Sequence, residues 1–212
     1  MTFHVVAGGE MFKNRKLKRA AEQGDVDAML DVAHRLLDSG DVDEASTWLL
    51  RAAEAGAPSA MNDLGVVLFH TTDDKASAIL WWRRAVEHGE VAAMVNLGWA
   101  AHTAGDLELA RSWYERASQE GHSGAMHNLS CLLEETGDHE GALALCEQAA
   151  TLGNPSAMND LAVHLERDGD VEAAISWYRH AADAGNMASV ESLHRLGQLG
   201  PGALLVDRRR LS

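Results

Sequence analysis

Two apolar stripes alternate along this chain, each at helical spacing and each closed by a glycine. Between Ala93 and Gly124 the first stripe is Met94, Leu97, Gly98 and Ala101, and the second is Leu107, Ala110, Trp113, Tyr114 and Ala117. Steps of three and four residues place each set on one helical face. Gly105-Asp106 separates them. Glycine takes the left-handed conformation that ends a helix, and aspartate caps the start of the next. The pair recurs as Gly40-Asp41, Gly137-Asp138 and Gly169-Asp170, and Glu44 follows Asp41 at capping-box spacing. The second stripe ends on Gly24, Gly56, Gly89, Gly121, Gly153 and Gly185. The pattern predicts antiparallel helix pairs joined by short, glycine-closed turns.

The pairs repeat at a fixed interval. Ala60-Met61-Asn62-Asp63-Leu64-Gly65 opens one copy, and matching openings stand at residues 28, 93, 125 and 157, in steps of 32, 33, 32 and 32. Such self-similarity marks a repeat array, because a lone helix pair cannot bury its apolar surface and must stack on its neighbours. Small residues hold fixed places in the second helix. Ala45, Ala78, Ala110, Ala142 and Ala174 form one row, and Ala52, Ala85, Ala117, Ala149 and Ala181 form another. Alanine lets helix backbones approach closely, and a larger side chain would overpack the contact. Trp48, Trp81 or Trp82, Trp113 and Trp177 are expected to supply bulk beside these rows, with Leu145-Cys146 in the fourth copy.

The A-M-x-N/D-L-G opening, the G-D-x-x-x-A turn and the W-Y-x-R-A-x-x-x-G ending resemble the tetratricopeptide and Sel-one-like (SLR) repeat families over residues 19 to 196. The inner turns are short, as in tetratricopeptide repeats, and the junctions between copies have the SLR form. The resemblance implies an all-α fold, a right-handed α-α superhelix of antiparallel helix pairs, with first helices lining a concave face. It also implies protein binding as a class. On that basis the candidate partner-binding residues are Asn62, Phe69, Val95, Trp99, His102, His127 and Asn159. Exposed aromatics anchor interfaces and asparagine both donates and accepts hydrogen bonds, so Trp99 and Asn62 lead that set. A carboxylate clamp of the kind some tetratricopeptide domains use is disfavoured, because Asp31, Asp63 and Asp160 stand at the matching positions.

Around this frame the chain divides into an N-terminal arm at 1–11, a basic capping half-repeat helix at 12–25, five repeats at 26–187, and a closing helix with a basic tail at 188–212. Residues 71–75, Thr71-Thr72-Asp73-Asp74-Lys75, carry the single extra residue and lack the Gly-Asp turn; Thr72 or Asp73 is the expected cap there. Pro58 and Pro155 fall just before first helices, where proline is tolerated. The basic residues before and after the repeats read first as polar caps for the array, and second as a docking site.

Composition narrows the function classes. The net charge is −14, and eight of the 18 lysines and arginines cluster before and after the repeats, at positions 13–19 and 208–210. So acidic an array repels phosphate backbones and suits a basic or neutral polypeptide. No apolar run is long enough to span a membrane, no secretory leader is evident, and two cysteines suit a reducing cytoplasm. The arginine- and alanine-rich usage has a bacterial look.

The 11 histidines show no His-x-x-x-His, and Cys131 and Cys146 no Cys-x-x-Cys, so neither a metal nor a cofactor is expected. Both cysteines read as small core residues. No phosphate loop or nucleophile elbow occurs. The expectation is a non-catalytic, cytoplasmic adaptor that grips a protein or peptide in its groove. The alternative is a regulatory subunit, of antitoxin, immunity or enzyme-regulator type, docking through an end or the convex surface. An enzyme built on the groove histidines ranks last, and pairing with a second copy stays open.

Overall fold

The computed structural model describes residues 15–198, and these form twelve helices with no strand among them. They are α1 (residues 15–22), α2 (Val26–Ser39), α3 (Val42–Glu54), α4 (Pro58–Thr71), α5 (Lys75–Glu87) and α6 (Val91–Thr103), then α7 (Leu107–Gln119), α8 (Ser123–Thr136), α9 (His139–Thr151), α10 (Pro155–Arg167), α11 (Val171–Asp183) and α12 (Met187–Arg195). Two compact units divide at Thr103 and Ala104. In the first, α2 to α6 pack each against the next, and α4 also touches α6. In the second, α7 to α12 do the same. The expected arm at 1–11 and the basic tail lie outside the described residues.

The turns follow the glycines. Gly40 (φ 82°) and Gly137 (φ 90°) close α2 and α8 in the left-handed conformation that alanine resists. Asp106, Asp138 and Asp170 then cap α7, α9 and α11 through side-chain bonds to the N–H of Leu109, Gly141 and Ala173. Two local expectations need correction. Asp41 makes no side-chain cap bond, and the capping box with Glu44 does not form. The Glu44 carboxylate is taken instead by the Lys18 ammonium at 2.6 Å and the Trp48 indole N–H at 3.4 Å, which tie α1 to α3. At the extra residue the cap of α5 is Asp74, accepting from the Ser77 N–H, not Thr72 or Asp73. At the junctions Asn154, Asn186 and His122 cap first helices, a role the sequence pattern had not assigned to them.

The alanine rows lie where the helices meet. All ten are buried, nine of them at 0% exposure and Ala142 at 5%. A third row, Ala60, Ala93, Ala125 and Ala157 in the first helices, is equally covered. Of the bulky residues expected there, Trp48, Trp82 and Cys146 are buried, while Trp113 and Trp177 yield the place to the next residue. Leu49, Trp82, Tyr114, Cys146 and Tyr178 occupy the buried position, whereas Trp81, Trp113 and Trp177 are only half-buried. The reason is amphipathy of the second helix. Arg51, Arg84 and Arg116, three residues after Trp48, Trp81 and Trp113, lay their guanidinium groups over the indoles at 4.4, 4.9 and 4.4 Å. Trp81 and Trp113, so covered, sit at the edge of the core in cation–π contact, whereas Trp48 is buried at 5% exposure.

Trp82 fits only because its partner is glycine. Its indole N–H donates to the Asn62 carbonyl at 3.1 Å. A Cβ on Gly65 would stand 2.5 Å from the indole nitrogen and 2.6 Å from Cδ1. At the closing end, Arg195 on α12 forks onto Glu166 of α10 at 2.6 and 2.8 Å, and the Tyr178 hydroxyl donates to the same carboxylate at 2.9 Å. The guanidinium first, then the phenol, hold the Glu166 carboxyl down at about 2, against the opposing effect of burial.

Gly65→Ala is expected to lower the melting temperature. Overpacking costs about 1–3 kcal/mol, and the ring held by Asn62 cannot retreat. The roughly 1 kcal/mol that alanine gains over glycine in a helix leaves a net loss, which the smaller ring of Trp82→Tyr should partly relieve in a double-mutant cycle. An unchanged melting curve for Gly65→Ala contradicts the contact. For Glu166 the folded pKa lies below the unfolded 4.5, so its contribution is complete above that value and fades as pH falls toward about 2. The melting difference between wild type and Glu166→Gln should therefore shrink between pH 5 and pH 2 by calorimetry.

Candidate functional site

The first helices carry the surface of interest, and within each unit polar side chains staple them together. In the first unit, His34 Nε2 meets Asp63 Oδ2 at 2.8 Å, joining α2 to α4. The Asn96 amide donates to Asn62 Oδ1 at 2.8 Å, joining α6 to α4. The Asn62 amide also donates to Asp63 at 3.3 Å. Two of the residues that the family resemblance aims at a ligand are thus engaged within the protein: Asn62, and in the second unit Asn159, which accepts from the Ser189 hydroxyl at 2.8 Å.

The aromatic residues of the first unit form a cluster on this face. The Phe69 ring lies 5.0 Å from Trp99 and 5.3 Å from Trp82, and His70 stacks 5.6 Å from Trp99. Lys75 places its ammonium 4.3 Å over Phe69. Trp99 packs on one side and keeps 37% of its surface in water. Val95 and His102 share α6 with it, both half-buried. A large ring, held in place by neighbours and open on one side, is the geometry that anchors an interface, because little rotamer freedom is left to lose.

In the second unit the same face is polar. His127 and Cys131 stand four residues apart on α8, and Asp160 reaches them from α10. His127 Nε2 lies 2.9 Å from Asp160 Oδ2 and 3.7 Å from Cys131 Sγ. The carboxylate bond, with help from Cys131 and against the effect of burial, pushes the His127 imidazole up to about 10. A cavity of about 530 Å³ adjoins, lined by Cys131, Glu134, His139, Cys146, Asp160 and His164 among others. Here one sequence expectation is corrected. Cys146 is a buried thiol that burial pushes up to about 12, but Cys131 is exposed and is no core residue. It holds an exposed first-helix position beside His127, whereas Cys146 donates to the Ala157 carbonyl at 3.3 Å in the helix interface.

His127, Cys131 and Asp160 are a group of side chains able to hold a metal ion, their ligand atoms all within 4.8 Å of one another. The signal was in the sequence. His127-x-x-x-Cys131 has the one-face spacing of a helical ligand pair, but a search for paired histidines or paired cysteines passes over a mixed pair. Asp160 becomes its neighbour only once α10 lies beside α8.

The profile of the tetratricopeptide repeat family matches residues 30–90, 82–125 and 127–187. The chain belongs to the tetratricopeptide repeat family. Among solved structures, this tetratricopeptide repeat protein is 25% identical to a protective antigen of uropathogenic Escherichia coli strains that displays an SLR fold, with a TM-score of 0.61 over 87% of this chain and 44% of that one. It therefore spans less than half of the antigen's length. A Sel1 repeat protein from Oxalobacter formigenes is similar over 90% of this chain and 91% of its own, at 24% identity and a TM-score of 0.68. An immunity protein from Pseudomonas aeruginosa matches at 19% identity and a TM-score of 0.63, over 77% and 67%. The last two show the fold alone. No curated protein sequence matches. The fold is the helix-pair solenoid of these neighbours, a type that generally serves as a non-catalytic protein-interaction scaffold. Among the described residues, no helix is long and apolar enough to cross a membrane.

The histidine assignment has a direct check. The folded pKa of His127 lies above the unfolded 6.5, so the contribution of its ion pair is complete below that value and is lost as pH rises through about 10. In an NMR titration His127 should stay protonated at pH 8, where ordinary histidines are neutral, and Asp160→Asn should return it toward 6.5. Titration of the wild-type ring near 6.5 contradicts the pairing.

Proposed function

We propose that the protein is a non-catalytic interaction adaptor that holds a partner polypeptide against its first helices. The observation that carries this reading is Trp99, seated on Phe69 and His70 and open to solvent on one side, in a chain whose family is built for protein recognition. In the first unit Phe69, Val95, Trp99 and His102 make the apolar contact, with Asn62 at its margin. In the second, His127 and Asn159 offer polar contacts. Asn62 and Asn159 already bond within the protein, so their role is to shape the surface more than to clasp the partner's backbone.

The partner is basic or neutral. A net charge of −14 draws a cationic segment and repels an acidic one or a nucleic acid. The compartment that suits this reading is the cytoplasm of a bacterium, where both cysteines stay reduced.

A second reading is favoured by one observation. Arg15, Lys16 and Arg19 stand exposed on α1, and an acidic partner docked there would make this chain a regulatory subunit that works through its end. The neighbour from Pseudomonas aeruginosa is itself an immunity protein.

Affinity capture from the native host separates the two readings. Trp99→Ala should reduce recovery of the partner at least tenfold, the loss of an anchor of roughly 2 kcal/mol, while removal of residues 1–19 leaves recovery unchanged. The opposite result, binding intact in Trp99→Ala and lost in the truncation, assigns the contact to the end.

A further inference from the structure

The ladder of staples between first helices contains one rung unlike the others. Asp63 and Asp160 hold the same place in the second and fifth copies, and each accepts from an imidazole of the preceding first helix, His34 at 2.8 Å and His127 at 2.9 Å. At His34–Asp63 the third group is the Asn62 amide, which donates to the carboxylate at 3.3 Å. At His127–Asp160 a thiol is added, Cys131, 3.7 Å from the same imidazole nitrogen.

Use of one nitrogen by both neighbours decides what the group can do. In a thiol–imidazole–carboxylate relay, the thiol and the acid bond to opposite ring nitrogens, so that one orients the ring while the other gives up its proton. Here Cys131 Sγ and Asp160 Oδ2 both face Nε2. No proton relay runs through such a ring, but three ligand atoms converge on one point. A tetrahedral zinc ion with bonds of about 2.0–2.1 Å to nitrogen and oxygen and 2.3 Å to sulfur needs nitrogen and oxygen about 3.3 Å apart, and nitrogen and sulfur about 3.6 Å apart. The nitrogen–sulfur separation of 3.7 Å already meets this, and all three ligand atoms lie within 4.8 Å of one another. The oxygen must withdraw by about 0.4 Å, a small rotation of a carboxylate whose side chain is half-exposed.

We propose that His127, Cys131 and Asp160 bind one zinc-like divalent ion. An imidazole, a thiolate and a carboxylate together favour zinc over magnesium or calcium, which prefer oxygen alone. Three protein ligands leave a fourth position, and the adjoining cavity of about 530 Å³ gives it to water. Binding displaces the proton between His127 and Asp160 and the proton of the Cys131 thiol, and both pass to solvent. The ion would lock α8 to α10 in place of the hydrogen bond there now. The site belongs to the second unit, whereas the adaptor reading is carried by Trp99 in the first, so the failure of one is distinguishable from the failure of the other.

The test uses the full chain without a polyhistidine tag, reduced and freed of metal by a chelator. Zinc is titrated by calorimetry and cobalt(II) by absorption. The expected result is one equivalent of each, a thiolate-to-cobalt charge-transfer band, and protection of one thiol from a cysteine reagent by zinc. Cys131→Ser should abolish the band and weaken zinc by an order of magnitude or more, as should His127→Ala. Cys146→Ser and His34→Ala, with folding checked by circular dichroism, should leave both unchanged. Failure to take up an equivalent of zinc overturns the proposal, and so does a cobalt band that survives Cys131→Ser.

Discussion

Close approach of helix backbones at alanine is the constraint on which this protein rests. The second helices α3, α5, α7, α9 and α11 each present two buried alanines, and the first helices α4, α6, α8 and α10 a third. The contacts are non-directional and small one by one, but they recur in every copy. They set the distance between helices, and that distance decides which larger side chains can meet. Trp82 can enter the core because Gly65 has no Cβ. In the other copies the same position holds Leu49, Tyr114, Cys146 or Tyr178, each also buried. Side-chain volume varies at that position from copy to copy while the alanine rows and the period of 32 or 33 residues persist, which is how a repeat array tolerates drift in sequence.

On top of this apolar frame, the first helices are joined by polar side chains. His34–Asp63, Asn96–Asn62, His127–Asp160, Ser189–Asn159 and Arg195–Glu166 each bridge two first helices of one unit. Most of these groups are partly exposed, so each contributes modestly to stability. Their larger effect is on register. A hydrogen bond has a direction and a length, and a row of them pins the rotation of each helix in a way that alanine contacts do not. Fixed rotation is what keeps Trp99 on Phe69 with one face open, and what brings Asp160 to the His127 and Cys131 side chains.

The two patches differ in kind because the same repeat positions carry different chemistry. The row that holds Trp99 in the third copy holds His34 in the first, Cys131 in the fourth and Arg195 on the closing helix. An aromatic there packs on Phe69 with one side open to water, an arginine forks onto Glu166, and a cysteine stands beside a histidine. The fold supplies one set of places, and what each place does depends on its occupant.

The sequence alone determined the helix pairs, their period, the glycine turns and the buried alanines, because these follow from spacing within a single element or between identical elements. It also placed Phe69 and Trp99 on first helices. Tertiary structure decided the rest. It put Trp82 and not Trp81 into the core, since two adjacent tryptophans have equal claims until the facing Gly65 is known. It drew Glu44 to Lys18 and Trp48, away from the backbone it was spaced to cap, because a charged partner 26 residues earlier in the chain outbid a local one. It also made Cys131 a surface thiol beside His127 and Asp160. Periodicity reports which face a residue shares with its own helix, and only packing reports which residue of another helix it meets.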